Sequence, residues 1–175
     1  MRRPYFKPFL ALLAFFIISF TNGNSAEKVK LLKQDWSFKG ITGKFDRAAL
    51  QRGYQVYTEV CASCHSMRLL SYRNLGEEGG PEFSVEQVKA IAGNFEIEDG
   101  PNAEGEMFMR PGRPSDKFAS PYPNIQAATA ANGGAYPPDM SVLVKSRKGG
   151  ADYIYSVLMG YEDPPADFKL DEGVY

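Results

Sequence analysis

The chain reads VCASCHS from Val60 to Ser66, and this stretch holds both cysteines and the only histidine of the 175 residues. Cys61, Cys64 and His65 therefore share five consecutive positions. Several kinds of site use a thiol pair at this spacing, but they differ in what they need from the histidine and from the rest of the chain. The choice among them decides the fold class.

Three of these sites agree poorly with the sequence. A structural zinc ion normally takes four protein ligands, whereas the chain offers two thiols and one imidazole. A thioredoxin-type pair opens a helix in a β-α-β setting, and here the pair follows a predicted helix in a chain with little strand-like alternation. A structural disulfide between Cys61 and Cys64 would leave the adjacent His65 unexplained.

The remaining interpretation is covalent attachment of one c-type haem, for which Cys-x-x-Cys-His is the characteristic spacing. Cys61 and Cys64 would each form a thioether with the porphyrin, and His65 would be an axial ligand of the iron. The sequence therefore predicts a single cofactor site in this stretch.

The N-terminus has the pattern of an export signal. Arg2, Arg3 and Lys7 precede an apolar run over 9–20, and small and polar residues follow up to Ala26. We predict a signal peptide over 1–26 and a haem domain over 27–175. An uncleaved anchor is the alternative, although the run is shorter than the roughly 20 residues that cross a bilayer. Export agrees with haem attachment, which takes place outside the cytoplasm.

Without residues 1–26 the chain keeps 17 basic and 21 acidic residues, which gives a net charge of −4 with the histidine neutral. Such a surface argues against a nucleic-acid partner, because nucleic-acid binding depends on basic side chains that neutralise phosphates. A positively charged protein partner fits the charge better.

Periodicity and capping residues predict an all-α fold with long ordered loops. Asp46 is a suitable N-cap, and Ser84 and Gln87 match a capping box. We expect helices at about 46–61, 84–92, 124–131, 139 to before 149, and 151–159. Between them we expect an acidic loop over 96–106 and a proline-rich ordered loop over 110–123.

The first of these helices carries a notch on its apolar face. Gly53 lies one turn before Tyr57, and a small residue beside a large one lets a second helix cross closely. We therefore predict that another helix packs at Gly53 and Tyr57.

The iron of a c-type haem has a second axial position, which methionine often fills. Five methionines follow the signal, and we expect each to be a core residue, because none stands in a segment that resembles a ligand loop: Met67, Met107, Met109, Met140 and Met159.

The sequence around the cysteines resembles the haem-binding segment of the cytochrome c1 family, from Arg52 through Met67. The resemblance extends over the chain from Trp36 onward and includes six further segments, DGPN from Asp99, MRPG from Met109, PYPN from Pro121, ANGGA from Ala131, PPD from Pro137 and GGADYIY from Gly149.

This resemblance implies a cytochrome c-like haem domain that passes electrons from the Rieske iron–sulfur protein to a soluble cytochrome c. It also implies cytochrome b as a partner. Because the N-terminal signal is short and of bacterial type, we expect the protein at the periplasmic face of a bacterial inner membrane. Cys61, Cys64 and His65 match the haem attachment residues, and Arg147 matches an arginine that pairs with a haem propionate. The alternative for Arg147 is a solvated residue at a helix end.

The chain departs from the family pattern at its end. In the family, the sequence continues to a methionine ligand loop, a closing helix and a C-terminal membrane anchor. We therefore expect the fold to be incomplete at the C-terminus, with the sixth iron ligand and the anchor beyond Tyr175.

Three functions follow from these observations. The first is that of an electron-carrying haem subunit of the respiratory quinol:cytochrome c oxidoreductase, with no bond chemistry of its own. The others are a stand-alone soluble periplasmic cytochrome and a five-coordinate haem protein with peroxidase-like activity. The extent of the cytochrome c1 resemblance favours the first. In it, the acidic loop over 96–106 would either dock a basic cytochrome c or remain a solvated loop.

Overall fold

The computed structural model describes residues 30–164 and 166–169. The predicted signal peptide, 1–26, lies outside the described residues, and so does Tyr175. From Leu31 onward the described residues form one compact unit. No helix among them has the length and apolarity needed to cross a membrane.

Helices dominate this unit, as predicted, and their bounds are α1 Arg47–Glu59, α2 Val85–Gly93, α3 Ile125–Ala131, α4 Leu143–Ser146 and α5 Gly150–Met159. Two 3-10 helices, Cys61–Ser63 and Tyr72–Gly76, supplement them.

The predicted caps of the first helices are present. The Asp46 carboxylate accepts a hydrogen bond from the Ala49 N–H at 2.9 Å and opens α1. Ser84 and Gln87 form the predicted capping box at the start of α2. Each interaction joins residues three positions apart, so it could be read directly from the sequence.

The prediction of an all-α fold omitted a β-hairpin. Strands β1, Glu96–Asp99, and β2, Phe108–Pro111, pair antiparallel, with Glu98 opposite Met109. The first strand occupies part of the predicted acidic loop. Its residues alternate between exposed and half-buried, which is the strand pattern, but three acidic side chains in four positions concealed it.

The predicted helix from Asp139 is shorter than expected. Only Leu143–Ser146 is helical, and Asp139 lies in the loop before it. The reason is tertiary. The Asp139 carboxylate accepts a local hydrogen bond from the Ser141 N–H, but it is also held by a distant loop, through the Ser66 hydroxyl at 2.7 Å and the Arg68 N–H at 2.9 Å.

An aromatic core lies beneath α1 and α2. Its buried members are Tyr57, Tyr72, Leu75, Val88, Ala92 and Phe118. Phe118 stands at the centre, with its ring centroid 4.8 Å from that of Tyr72 and 6.1 Å from that of Tyr57. Because Tyr57 belongs to this core, the core holds the C-terminal end of α1 in place. The Cys61–His65 stretch comes directly after that end in the sequence.

The N-terminal segment is fastened to α5 mainly by Asp152, and the Ser156 hydroxyl adds one bond by accepting from the Leu32 N–H at 2.9 Å. Asp152 accepts hydrogen bonds from the Trp36 indole N–H at 2.7 Å and from the Lys33 ammonium at 3.0 Å. The Trp36 ring also meets the Tyr155 ring edge to face at 5.9 Å.

Candidate cofactor site

The Cys61–His65 stretch forms a tight turn at the end of α1. The Cys61 carbonyl accepts hydrogen bonds from the Cys64 N–H at 3.1 Å and the His65 N–H at 2.8 Å. Cys61 and Cys64 therefore stand one turn apart, both half-buried and both as free thiols. The two cysteines and the histidine, which the sequence predicts to form one site, therefore lie in a single turn of the backbone.

The backbone of His65 is held from α1 as well. The Tyr57 hydroxyl donates to the His65 carbonyl at 3.3 Å. Burial raises the pKa of Tyr57 to about 12, and nearby tyrosine and carboxylate groups add to the shift, so the hydroxyl keeps its proton. The hydroxyl is therefore a donor at physiological pH.

One nitrogen of the His65 ring forms a hydrogen bond with the backbone. Its Nδ1 lies 2.9 Å from the carbonyl oxygen of Pro138. A carbonyl can only accept a hydrogen bond, so Nδ1 carries the proton, and in the neutral ring Nε2 keeps its lone pair. This is the tautomer in which an imidazole can ligate a metal through Nε2.

A cavity of about 790 Å³ opens beside Cys64. This volume lies within the range of about 300–1,000 Å³ that is usual for ligand pockets. Its wall is mostly apolar and aromatic and includes Met109, Pro121, Tyr122, Ile125, Tyr136 and Pro137, but three charged residues, Arg68, Glu96 and Glu98, also line it. Reduced thiols, an available imidazole nitrogen and an apolar cavity together fit a covalently held haem.

The structure brings together only part of the predicted site. Cys64 lines the cavity, whereas Cys61 and His65 are not among the described residues that line it, and Cys61 packs against the aromatic core. Arg147 follows α4 and is exposed, and among the described residues it does not line this cavity. Arg147 thus lies at a helix end, which is the position that the alternative interpretation gave it. Its pairing with a haem propionate stays a prediction.

The methionines divide into two groups. Met67 and Met140 pack against the aromatic core, as predicted. The prediction was wrong for Met107, Met109 and Met159, whose exposed fractions are 54%, 58% and 61%. Met109 is exposed because it lies on the β-hairpin, where it forms part of the cavity wall.

Most of the cavity wall was not recognised from the sequence. Tyr122 and Pro121 belong to PYPN, Met109 to MRPG and Pro137 to PPD, segments that carried the family resemblance without an assigned role. The signal was therefore present in the sequence, but the position of these loops around Cys64 depends on the fold.

An ion network supports the hairpin. The Arg110 guanidinium contacts the carboxylates of Asp99 and Asp116, with an N–O distance of 2.6 Å to Asp116. This hydrogen bond from Arg110 is the main reason why the pKa of Asp116 is lowered to about 2. The network joins the hairpin to the loop that precedes Phe118.

Comparisons with known proteins identify one family that the chain matches. The Cytochrome C1 family model matches residues 36–175. The chain is 53% identical over 140 residues to a protein of Solanum tuberosum named "Cytochrome c1-2, heme protein, mitochondrial", a match that covers 80% of this chain and 53% of that protein.

Two bacterial proteins are similarly close. "Cytochrome c1" of Rhodospirillum rubrum is 52% identical over 140 residues, which cover 79% of this chain and 50% of that protein. "Cytochrome b/c1" of Bradyrhizobium diazoefficiens is 51% identical over 159 residues, which cover 80% and 23%. The chain spans about half the length of the Solanum tuberosum and Rhodospirillum rubrum proteins.

Proposed function

Because the chain belongs to the cytochrome c1 family, we propose that it is the haem-bearing, electron-carrying subunit of a cytochrome bc1 complex. The observation that carries the proposal is the Cys61–His65 turn beside an apolar cavity, with both thiols free and Nε2 of His65 available. In this proposal one c-type haem is attached, and it supplies one-electron redox chemistry when bound.

The roles of the residues follow from their chemistry. Each thiol of Cys61 and Cys64 would add across a vinyl group of the porphyrin, so that sulfur bonds to carbon and the thiol hydrogen passes to the neighbouring carbon. His65 would ligate the iron through Nε2. The exposed guanidinium of Arg147 would pair with a haem propionate, because a fixed cation offsets the charge of a carboxylate.

The apolar wall would serve electron transfer by excluding water from the porphyrin. Haem potentials depend on the polarity of the surroundings as well as on the axial ligands. The aromatic and proline residues of this wall, Pro121, Tyr122, Pro123, Tyr136 and Pro137, are stiff, so we expect this part of the wall to rearrange little when the charge of the cofactor changes.

Covalent attachment is tested by acidic acetone extraction of the protein produced in a host that can attach haem. We expect the haem to stay on the wild-type chain, and we expect a Cys61→Ala/Cys64→Ala variant to release it. Ser63→Ala is the matched control, because Ser63 lies in the same turn without a proposed bond to the porphyrin. Complete release of haem from the wild-type chain would contradict the proposal.

The electron acceptor in this proposal is a basic soluble cytochrome c, which would dock beside the acidic hairpin. Glu96 and Glu98 lie on β1 and line the cavity, whereas Asp99 is paired with Arg110. Glu96 and Glu98 form no ion pair within the part of the chain that the structure describes, so they would contribute more to docking than Asp99. Such charges mainly accelerate association, and salt screens them over roughly 10 Å at 0.1 M.

The docking step is tested by neutralising glutamates in the complete complex. We expect Glu96→Gln/Glu98→Gln to slow association with a basic cytochrome c at low salt and to lose this effect at high salt. Glu78→Gln/Glu162→Gln removes the same charge from exposed positions outside the cavity wall and is the control. Equal rates for both variants would mean that the hairpin glutamates are simply solvated.

A further inference from the structure

The loop that follows His65 is joined side by side to the loop over 138–141. The Met140 N–H donates to the Ser66 carbonyl at 2.8 Å, and the Leu69 N–H donates to the Ser141 hydroxyl at 3.1 Å. The two loops are separated by more than seventy residues in sequence, so these bonds are tertiary contacts.

Asp139 is the centre of this junction. Its Oδ2 accepts from the Ser66 hydroxyl at 2.7 Å and from the Arg68 N–H at 2.9 Å, and its Oδ1 accepts from the Ser141 N–H at 2.9 Å. The side chain is only 19% exposed. Both carboxylate oxygens are therefore used, mainly by uncharged donors, and the side chain has little freedom to move.

Asp139 directly follows the residue whose carbonyl accepts the His65 proton. The Pro138 carbonyl carbon is bonded to the Asp139 nitrogen, and the Pro138 ring restricts φ on its other side. Holding Asp139 in place therefore holds the carbonyl oxygen, which lies 2.9 Å from His65 Nδ1.

We infer that Asp139 is a positioning residue for His65: by fixing the Pro138 carbonyl it keeps the Nδ1 proton hydrogen-bonded and directs Nε2 to the metal. The inference rests on the proposed role of His65 as a haem ligand. A hydrogen bond donated by the second ring nitrogen raises the basicity of a ligating imidazole, so Asp139 would act on the iron through Pro138 and His65.

Asp152 offers a matched comparison within the same chain. Asp152 is a buried aspartate on α5 that also fastens a distant segment, but the groups it binds are the Trp36 indole N–H and the Lys33 ammonium. A substitution there removes an equivalent carboxylate without touching the loops around His65. Effects specific to His65 can thus be separated from a general loss of stability.

The experiment uses the full chain with its haem attached, in the wild-type form and as Asp139→Ala, Asp139→Asn and Asp152→Asn. Two quantities are measured, the exchange rate of the His65 Nδ1 proton by NMR and the reduction potential. Because the chain has one histidine, the ring signal has a single possible origin.

We expect Asp139→Ala to accelerate exchange of the Nδ1 proton by about tenfold or more, as for loss of a hydrogen-bonded anchor. We expect the reduction potential to rise, because a less basic imidazole stabilises the ferric state less. Asp139→Asn should shift both in the same direction by less, since an amide oxygen can replace some of the accepted bonds. Asp152→Asn should leave both unchanged.

Wild-type values of exchange and potential in both Asp139 variants would overturn the inference. So would an equal shift in Asp152→Asn, because the effect would then be general loosening. If Asp139→Ala does not accumulate with haem, Asp139→Asn decides by the same two measurements. A wild-type chain that takes up no covalent haem would instead refute the proposed function, and the inference with it.

Discussion

The aromatic core and the loops around the cavity are held together by different forces. In the core, Phe118 contacts the Tyr57 and Tyr72 rings, and apolar burial dominates. In the loops, carboxylates of Asp116 and Asp139 collect hydrogen bonds from segments that are otherwise irregular.

This difference separates stability from positioning. The core supports α1 and thereby the turn that contains the cysteines, while the carboxylates hold the loops that face the cofactor site. Burial of apolar area is nearly independent of pH, whereas a carboxylate holds its donors more strongly when it is ionised. The two regions should therefore respond to different perturbations.

The largest expected effect is on the core. Phe118→Ala should lower the free energy of unfolding by about 3–5 kcal/mol, because it removes a buried ring and leaves a cavity among aromatic neighbours. Urea unfolding followed by circular dichroism measures it. Phe45→Ala, at a position 55% exposed, is the control and should change stability much less. Equal losses in the two variants would mean that Phe118 is not central to the core.

The second prediction concerns acid and the loops. Arg110 lowers the pKa of Asp116 to about 2, and the Trp36 N–H and Lys33 lower that of Asp152 to about 2. For Asp139, burial opposes ionisation, but hydrogen bonds from Arg68, Ser141 and Ser66 outweigh it and hold the pKa below its usual range.

Since an unfolded aspartate titrates near 3.9, these groups contribute their full stability above that pH. The contribution falls as the pH decreases toward the folded pKa values. We expect the melting temperature to be level above about pH 5 and to fall steadily between about pH 4 and pH 2. Asp139→Asn should flatten this decline, whereas Val88→Ala in the core should lower the whole curve without changing its slope. A decline of unaltered steepness in Asp139→Asn would remove the distinction between the regions.

The smallest expected effects come from two glycines. A Cβ at Gly112 would lie 2.5 Å from the Ala92 carbonyl oxygen, so Gly112→Ala should destabilise the junction of hairpin and core by about 1–3 kcal/mol. A Cβ at Gly53 would meet nothing within 4 Å among the described residues, and Gly53→Ala within α1 should stabilise by about 0.5–1 kcal/mol. Chemical unfolding of both variants measures whether each substitution lowers or raises the free energy of unfolding.

The sign at Gly53 also tests the predicted notch. Tyr57 is already buried against Phe118, so only the Gly53 part of that face is open. A destabilised Gly53→Ala variant would show that another segment packs against the notch, as the sequence predicts for a closing helix.

Much of the scaffold could be predicted because its signals are local. The Asp46 cap and the Ser84–Gln87 capping box each act within one helical turn. The Cys61–His65 turn is equally local, since two backbone hydrogen bonds to one carbonyl shape it. The proposal of a covalently held haem could be made from this turn alone, because it depends on the residue types and their spacing.

The surroundings of the turn were decided by tertiary structure. Asp139 suits a helix cap by sequence, yet it binds Ser66, 73 residues away. Met109 and Tyr122 come to line one cavity only after the hairpin and the proline-rich loop have folded over Cys64. A periodic pattern or a cap is determined by neighbours three or four positions apart. The partner of a loop side chain is determined by which distant backbone the folded core brings within hydrogen-bond distance.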